Sequence, residues 1–188
     1  RLGEPQRRNF CRLYRSPGQL RPNPMAAMPP PPLTYDQTAL MLAKLADLEH
    51  PIVLVGGQAV NFWAELYLDR VPGLAAQAPY TSKDIDFCGA PDAVRECAAR
   101  LGGRAYVATF DEMGTPNTGT VTFVDDDGFT RTIDFLKQPA GLDARETLET
   151  SFPAEVLDDE GHPIATFRVI HPLLSLESRA HNVAHLPG

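Results

Sequence analysis

The chain has 188 residues, 43% of them apolar, which suffices for one globular core and excludes a wholly disordered chain. Its three cysteines, Cys11, Cys88 and Cys97, form no CxxC pair, which argues against a disulfide framework or a zinc site and for a reducing compartment. The net charge of −7 is unevenly spread: residues 1–24 hold six arginines against Glu4, so the remainder is strongly acidic and a poor general binder of nucleic acid.

Eight of the 18 prolines fall in the first 32 residues, including Pro29 to Pro32. That composition favours polyproline or disorder and predicts a basic, proline-rich tail over residues 1–33, followed by one domain over 34–188. The arginine-rich start reads either as a tail for an acidic partner or as sequence upstream of a start at Met25 or Met28. No apolar stretch approaches the roughly 20 residues that cross a bilayer, and no leader pattern is visible. The expectation is a cytoplasmic protein with no membrane partner.

Ordered structure is expected from Thr34. "LTYDQTALMLAKLADLEH" reads as a helix with a cap at Thr34 or Asp36. "IVLV" (52–55) is a short buried strand, and Gly56-Gly57 the turn after it. "QAVNFWAELYLDR" is a second helix, with Val60, Trp63, Ala64 and Tyr67 at i, i+3, i+4 and i+7 as its apolar face. "VPGLAAQAPYTS" is a loop. "KDIDFCG" is a strand, because Ile85 and Phe87 alternate with Asp84 and Asp86. "PDAVRECAARL" is helical from Pro91, and "RAYVATF" a strand. "TGTVTFVDDDGFTRTIDFLK" and "AEVLDDEGHPIATFRVI" are hairpins, and "PLLSLESRAHNVAHL" a last helix from Pro172. The fold class is therefore α+β, a mixed sheet flanked by helices.

Asp84 and Asp86 stand two residues apart on a predicted strand, so both carboxylates share a face. Two like charges side by side are costly without a cation, and hard divalent ions such as Mg²⁺ seek oxygen ligands. Asp134, between Ile133 and Phe135 in another strand, would complete a metal-holding triad. At the strand-to-helix junction, Gly56 and Gly57 lack β-carbons and permit close approach. The following helix directs its free amides and positive dipole end there, a natural place for phosphate. No Gly-Lys-Ser/Thr follows, so this is not a Walker loop, and the third glycine of a dinucleotide fingerprint is missing.

"LVGGQAVNFW", "TSKDIDFCG" and "TIDFL" together resemble the nucleotidyltransferase superfamily that includes DNA polymerase β. The "TSKDIDF" wording and the long gap after the glycines are similar to its AbiEii-type branch of abortive-infection and toxin–antitoxin systems. The resemblance spans roughly residues 35–180. It implies a transferase that moves a nucleoside monophosphate from an NTP to a hydroxyl, with Mg²⁺ or Mn²⁺ as cofactor. It implies Asp84, Asp86 and Asp134 as catalytic, metal-binding acids, and Gly56, Gly57, Ser82 and Lys83 as nucleotide-binding residues. The acceptor stays open among a small molecule, a protein side chain and an RNA end. The resemblance also implies a helical acceptor-binding part after the catalytic sheet, and the expectation is that this part is missing from the sequence to Gly188. The alternative is an inactive member of the same fold that binds a cognate antitoxin or other partner protein. A sugar transferase with an Asp-x-Asp metal site is a third class; such enzymes place a longer nucleotide-binding unit before the motif.

Other candidates have simpler readings. His181 and His185 are four apart on the last helix but lack a third ligand, and read as surface histidines. Arg179 either reaches toward phosphate or pairs with Glu177 or Glu146. The acids of "DDDG" and "DDEG" mark hairpin turns, not calcium loops. Trp63 and Cys88 read as core.

Overall fold

A computed structural model of the chain describes residues 29–112, 114–157, 160 and 162–184. The disorder expected before residue 29, the start positions Met25 and Met28, Cys11, Asp159 and Gly161 of the second hairpin tip, and His185 lie outside the described residues. The element order is α1 (Tyr35–Lys44), β1 (Ile52–Val55), α2 (Gly56–Leu66), β2 (Ile85–Gly89), α3 (Pro91–Leu101), β3 (Arg104–Val107), β4 (Asn117–Val124), β5 (Thr130–Leu136), α4 (Ala144–Glu149), β6 (Phe152–Leu157), β7 (Pro163–Val169) and α5 (Pro172–Ala184). The fold is mixed α+β: one seven-stranded sheet, ordered β3-β4-β5-β2-β1-β7-β6, flanked by the five helices.

The sheet mixes both pairing modes. β2 runs antiparallel to β1 and parallel to β5, and β1 runs parallel to β7. Hairpins β4–β5 and β6–β7 extend the two sides. On one face Ile85, Phe87, Val121, Ile133 and Phe135 are fully buried. α3 packs there, with Ala93 beside Gly89 and Val94 beside Gly119. Burying five such side chains supplies about 1.5–3 kcal/mol each, the main favourable contribution in this half of the molecule.

The opposite face carries the polar members of the same strands. The registers align Tyr106, Thr120, Asp134, Asp86 and Val55 in one row across β3, β4, β5, β2 and β1. Alternation along β2 and β5 thus sends Ile85, Phe87, Ile133 and Phe135 to α3 and the acids Asp86 and Asp134 to the other side.

Several expectations are corrected. Gly56 and Gly57 form no separate turn; they are the first two residues of α2, so β1 passes directly into the helix. The buried residues of α2 are Gln58, Ala59, Asn61 and Phe62, whereas Val60 and Tyr67 are exposed and Trp63 is half-buried. The helix is flanked by β1 and β2 on one side and α1 and α5 on others, so no single apolar stripe sets its inward face. Leu33, at the expected boundary between tail and domain, is buried and pairs with Ser82 through both backbone hydrogen bonds, at 2.9 and 3.3 Å. α1 stops at Lys44 instead of running on to His50, and α4 lies in a stretch with no element predicted.

Candidate active site

β1 ends opposite Asp86, with Val55 and Asp86 as cross-strand partners. The next residue, Gly56, turns the chain with φ +63° to start α2. A β-carbon on Gly56 would fall on the Asp86 carboxylate, and one on Gly57 on the Ser82 hydroxyl. The room that the two missing β-carbons leave is thus taken by side chains of this chain. No side chain caps α2, whose N-cap is Val55, so the partial positive charge of its first turn faces the Asp86 carboxylate.

Asp134 is the register partner of Asp86 on the neighbouring parallel strand. Their Cα atoms belong to strands about 4.8 Å apart, and both side chains leave the same face. Asp84 lies just before β2, exposed, while Asp86 and Asp134 are half-buried. Burial first, and then the charges of Asp134 and Asp84, push the Asp86 carboxyl up to about 6, against a smaller opposing pull from Arg179. Asp134 is also raised, by burial and by Asp84. The three acids share one electrostatic neighbourhood.

A cleft of about 440 Å³ opens beside them, lined by Gly56, Gly57 and Asp86 and by a face of α5. Asp84, Asp134, Ser82 and Lys83 stand outside its lining. Ser82 is held in place from three sides: its backbone pairs with Leu33, its carbonyl accepts from Gln58 Nε2 at 3.2 Å, and its hydroxyl donates to the Asp84 carbonyl at 3.2 Å. Lys83 is exposed.

The donor chemistry suits a hard divalent ion: three carboxylates, two of them disfavoured as charged groups first by burial and then by neighbouring carboxylates, a cost that a cation would offset. Among the described residues, no three acid, histidine or cysteine side chains already converge in a ligand arrangement. An ion at Asp86 and Asp134 therefore requires side-chain adjustment.

Gln58, Asn61 and the polar residues of α5, not singled out from sequence, complete the site together with Arg179, which the sequence leaves between a phosphate contact and an ion pair. Buried Gln58 accepts from Asn61 Nδ2 at 3.1 Å while it holds Ser82, an internal polar link between α2 and the segment before β2. Arg179 points to the cleft, where its Nη2 donates to the Gly56 carbonyl at 3.3 Å. Ser175, Ser178 and Asn182 line the cleft with it. Their i, i+3, i+4, i+7 spacing was the available signal.

The remaining candidates have structural roles. Asp125 pairs with Arg131, Asp126 with Lys44, and Asp127 accepts from Gln37, so the first hairpin turn is fastened to α1. The His181 ring packs against Gly141. Cys88 is buried, which pushes its thiol up to about 11 and keeps it protonated. Trp63 packs against Phe62 and Phe152 and donates to the Ile170 carbonyl at 2.9 Å. Among the described residues, no helix is long and apolar enough to cross a membrane. In comparisons with family models, curated proteins and solved structures, nothing matches this chain.

Proposed function

We propose that the chain is a nucleotidyltransferase that moves a nucleoside monophosphate from an NTP to a hydroxyl acceptor and releases pyrophosphate. One observation carries the reading: Asp86 and Asp134 are cross-strand partners on one sheet face, and Asp86 lines a cleft together with Gly56 and Gly57. Asp84, Asp86 and Asp134 would hold Mg²⁺ or Mn²⁺. When bound, the ion supplies charge neutralisation to the phosphates and to the acids themselves. The free cysteines Cys88 and Cys97 suit a reducing, cytoplasmic setting.

The chain's own residues would divide the work. Gly56 and Gly57 let Asp86 and Ser82 close in on the start of α2, and the cleft that the glycines line would admit the phosphate chain beside them. Asp134, beside Asp86 on the same sheet face, would take the proton of the acceptor hydroxyl. The acceptor oxygen then bonds to the α-phosphorus while the bond from that phosphorus to the bridging oxygen breaks. The electron pair leaves with pyrophosphate.

The test is Mg²⁺-dependent transfer from α-labelled NTP to small-molecule, protein and RNA acceptors assayed in parallel. Asp84→Ala should lower transfer by about 100-fold or more, since it removes a group needed in the transition state. Transfer by that variant at the wild-type rate would refute the reading.

A second reading, a non-catalytic module that binds a partner protein, has one observation in its favour. An apolar groove of about 970 Å³, larger than the acid cleft, runs between α1, α2 and β6, with Leu40, Phe62, Trp63 and Phe152 in its walls.

A further inference from the structure

α5 packs Leu174 against the core but leaves most of its other apolar residues turned outward. A surface helix ordinarily turns its apolar stripe inward and its polar stripe to water. Here Leu173, Leu176 and Val183 are 68%, 66% and 71% exposed. The stripe facing the cleft is Ser175, Ser178, Arg179 and Asn182. Spacing of i, i+3, i+4 and i+7 puts these four on one side of the helix. Ser175 is buried. Such polar groups add little to packing, so their place against the cleft calls for a polar occupant.

Arg179 defines the occupant's charge. It is the one cationic side chain lining the cleft among the described residues, and it is exposed. One guanidinium N–H reaches the Gly56 carbonyl at 3.3 Å. Among the described residues no carboxylate makes a salt bridge to it. A guanidinium presents five donors in a planar fork that matches phosphate oxygens. The contact with Gly56 holds that fork over the glycine pair, at the uncapped start of α2. Two sources of positive potential, a helix terminus and a fixed cation, thus meet in one cleft, where the Asp86 carboxylate is the one negative group lining it among the described residues.

We infer that Arg179 binds the polyphosphate of the nucleotide, and that the polar stripe of α5 is the wall along which this polyphosphate lies. The inference rests on the nucleotidyl-transfer reading for the identity of the ligand, but the binding it describes is separable from transfer. It moves the phosphate-binding cation from Lys83, outside the cleft lining, to a helix more than 90 residues later in the chain. Ser178 and Asn182 supply neutral hydrogen bonds beside the cation. The wall reads phosphate and not base, so the four NTPs should depend on it equally.

Calorimetric titration of the full chain with magnesium tripolyphosphate, and with the magnesium complexes of the four NTPs, tests this. Arg179→Ala should weaken tripolyphosphate and all four NTPs by about tenfold or more, and Arg179→Lys by only about threefold, because charge is kept and the fork is lost. Arg179 is exposed, so the melting temperature of both variants should match wild type. Equal binding by Arg179→Ala and wild type overturns the assignment. So does a larger loss in Lys83→Ala, or a wild-type chain that does not bind tripolyphosphate. The two proposals fail separately. Arg179-dependent binding with undiminished transfer by Asp84→Ala would remove the transfer reading and leave this one. Asp84-dependent transfer with Arg179-independent binding would do the reverse.

Discussion

At Gly56 two requirements coincide. The backbone is left-handed, with φ +63°, and the position of a β-carbon is already taken by the Asp86 carboxylate. Gly102 has the same φ and open space around it, so it isolates the backbone part. Gly102→Ala should cost about 1–2 kcal/mol of stability, the left-handed penalty alone. Gly56→Ala should cost clearly more in urea denaturation, and the excess should shrink when Asp86→Ala is added. Equal costs at the two glycines would mean that Asp86 gives way freely. The glycine pair was legible in the sequence as a point of close approach. That Asp86 and Ser82 occupy the space was not, since it depends on the β1–β2 register. Arg179 was ambiguous for the same reason: its partner Gly56 is 123 residues away in the chain.

The elements that hold the site differ in how plainly they announce themselves. α1 has a full capping box: Thr34 Oγ1 accepts from the Gln37 amide at 3.3 Å, and Gln37 Oε1 accepts from the Thr34 amide at 3.1 Å. The cap adjoins Leu33, whose backbone secures Ser82. Thr34→Ala should lose about 1 kcal/mol by urea denaturation. A loss under a few tenths would show that the Leu33–Ser82 pairing alone fixes this entry. The hairpins were clear from alternation and their Asp-Gly turns. α4 was hidden because six residues are too few to show a period; its capping Asp143, which accepts from the Arg145 and Glu146 amides, was the only cue. α2 was read as a helix with the wrong inward face, because Gln58 and Asn61, polar by composition, are buried in a hydrogen-bonded pair.

Across the whole molecule, folding brings carboxylates together at a cost. Asp86 rises from 3.8 to about 6, so the folded protein binds this proton more tightly than the unfolded chain. The contribution of this group to stability in metal-free buffer should therefore be fully present below about pH 4 and be lost as pH rises through about 6, on the order of 2–3 kcal/mol. Asp86→Asn should flatten that slope and melt higher than wild type at pH 7.5 in EDTA, while losing transfer. A pH slope unchanged in Asp86→Asn would remove Asp86 as its source. The gain from removing a charged side chain is what a site that awaits a cation should show.

The sequence alone carried the α+β class, most strands and helices, the glycine pair and the three aspartates, because alternation, capping and turn chemistry act between residues a few positions apart. The convergence of Asp86 with Asp134, the closure of the cleft by α5 and the turn of Arg179 toward Gly56 came only with the folded chain. They depend on strand order, register and helix rotation, which are settled by contacts between distant segments and leave no local pattern to read.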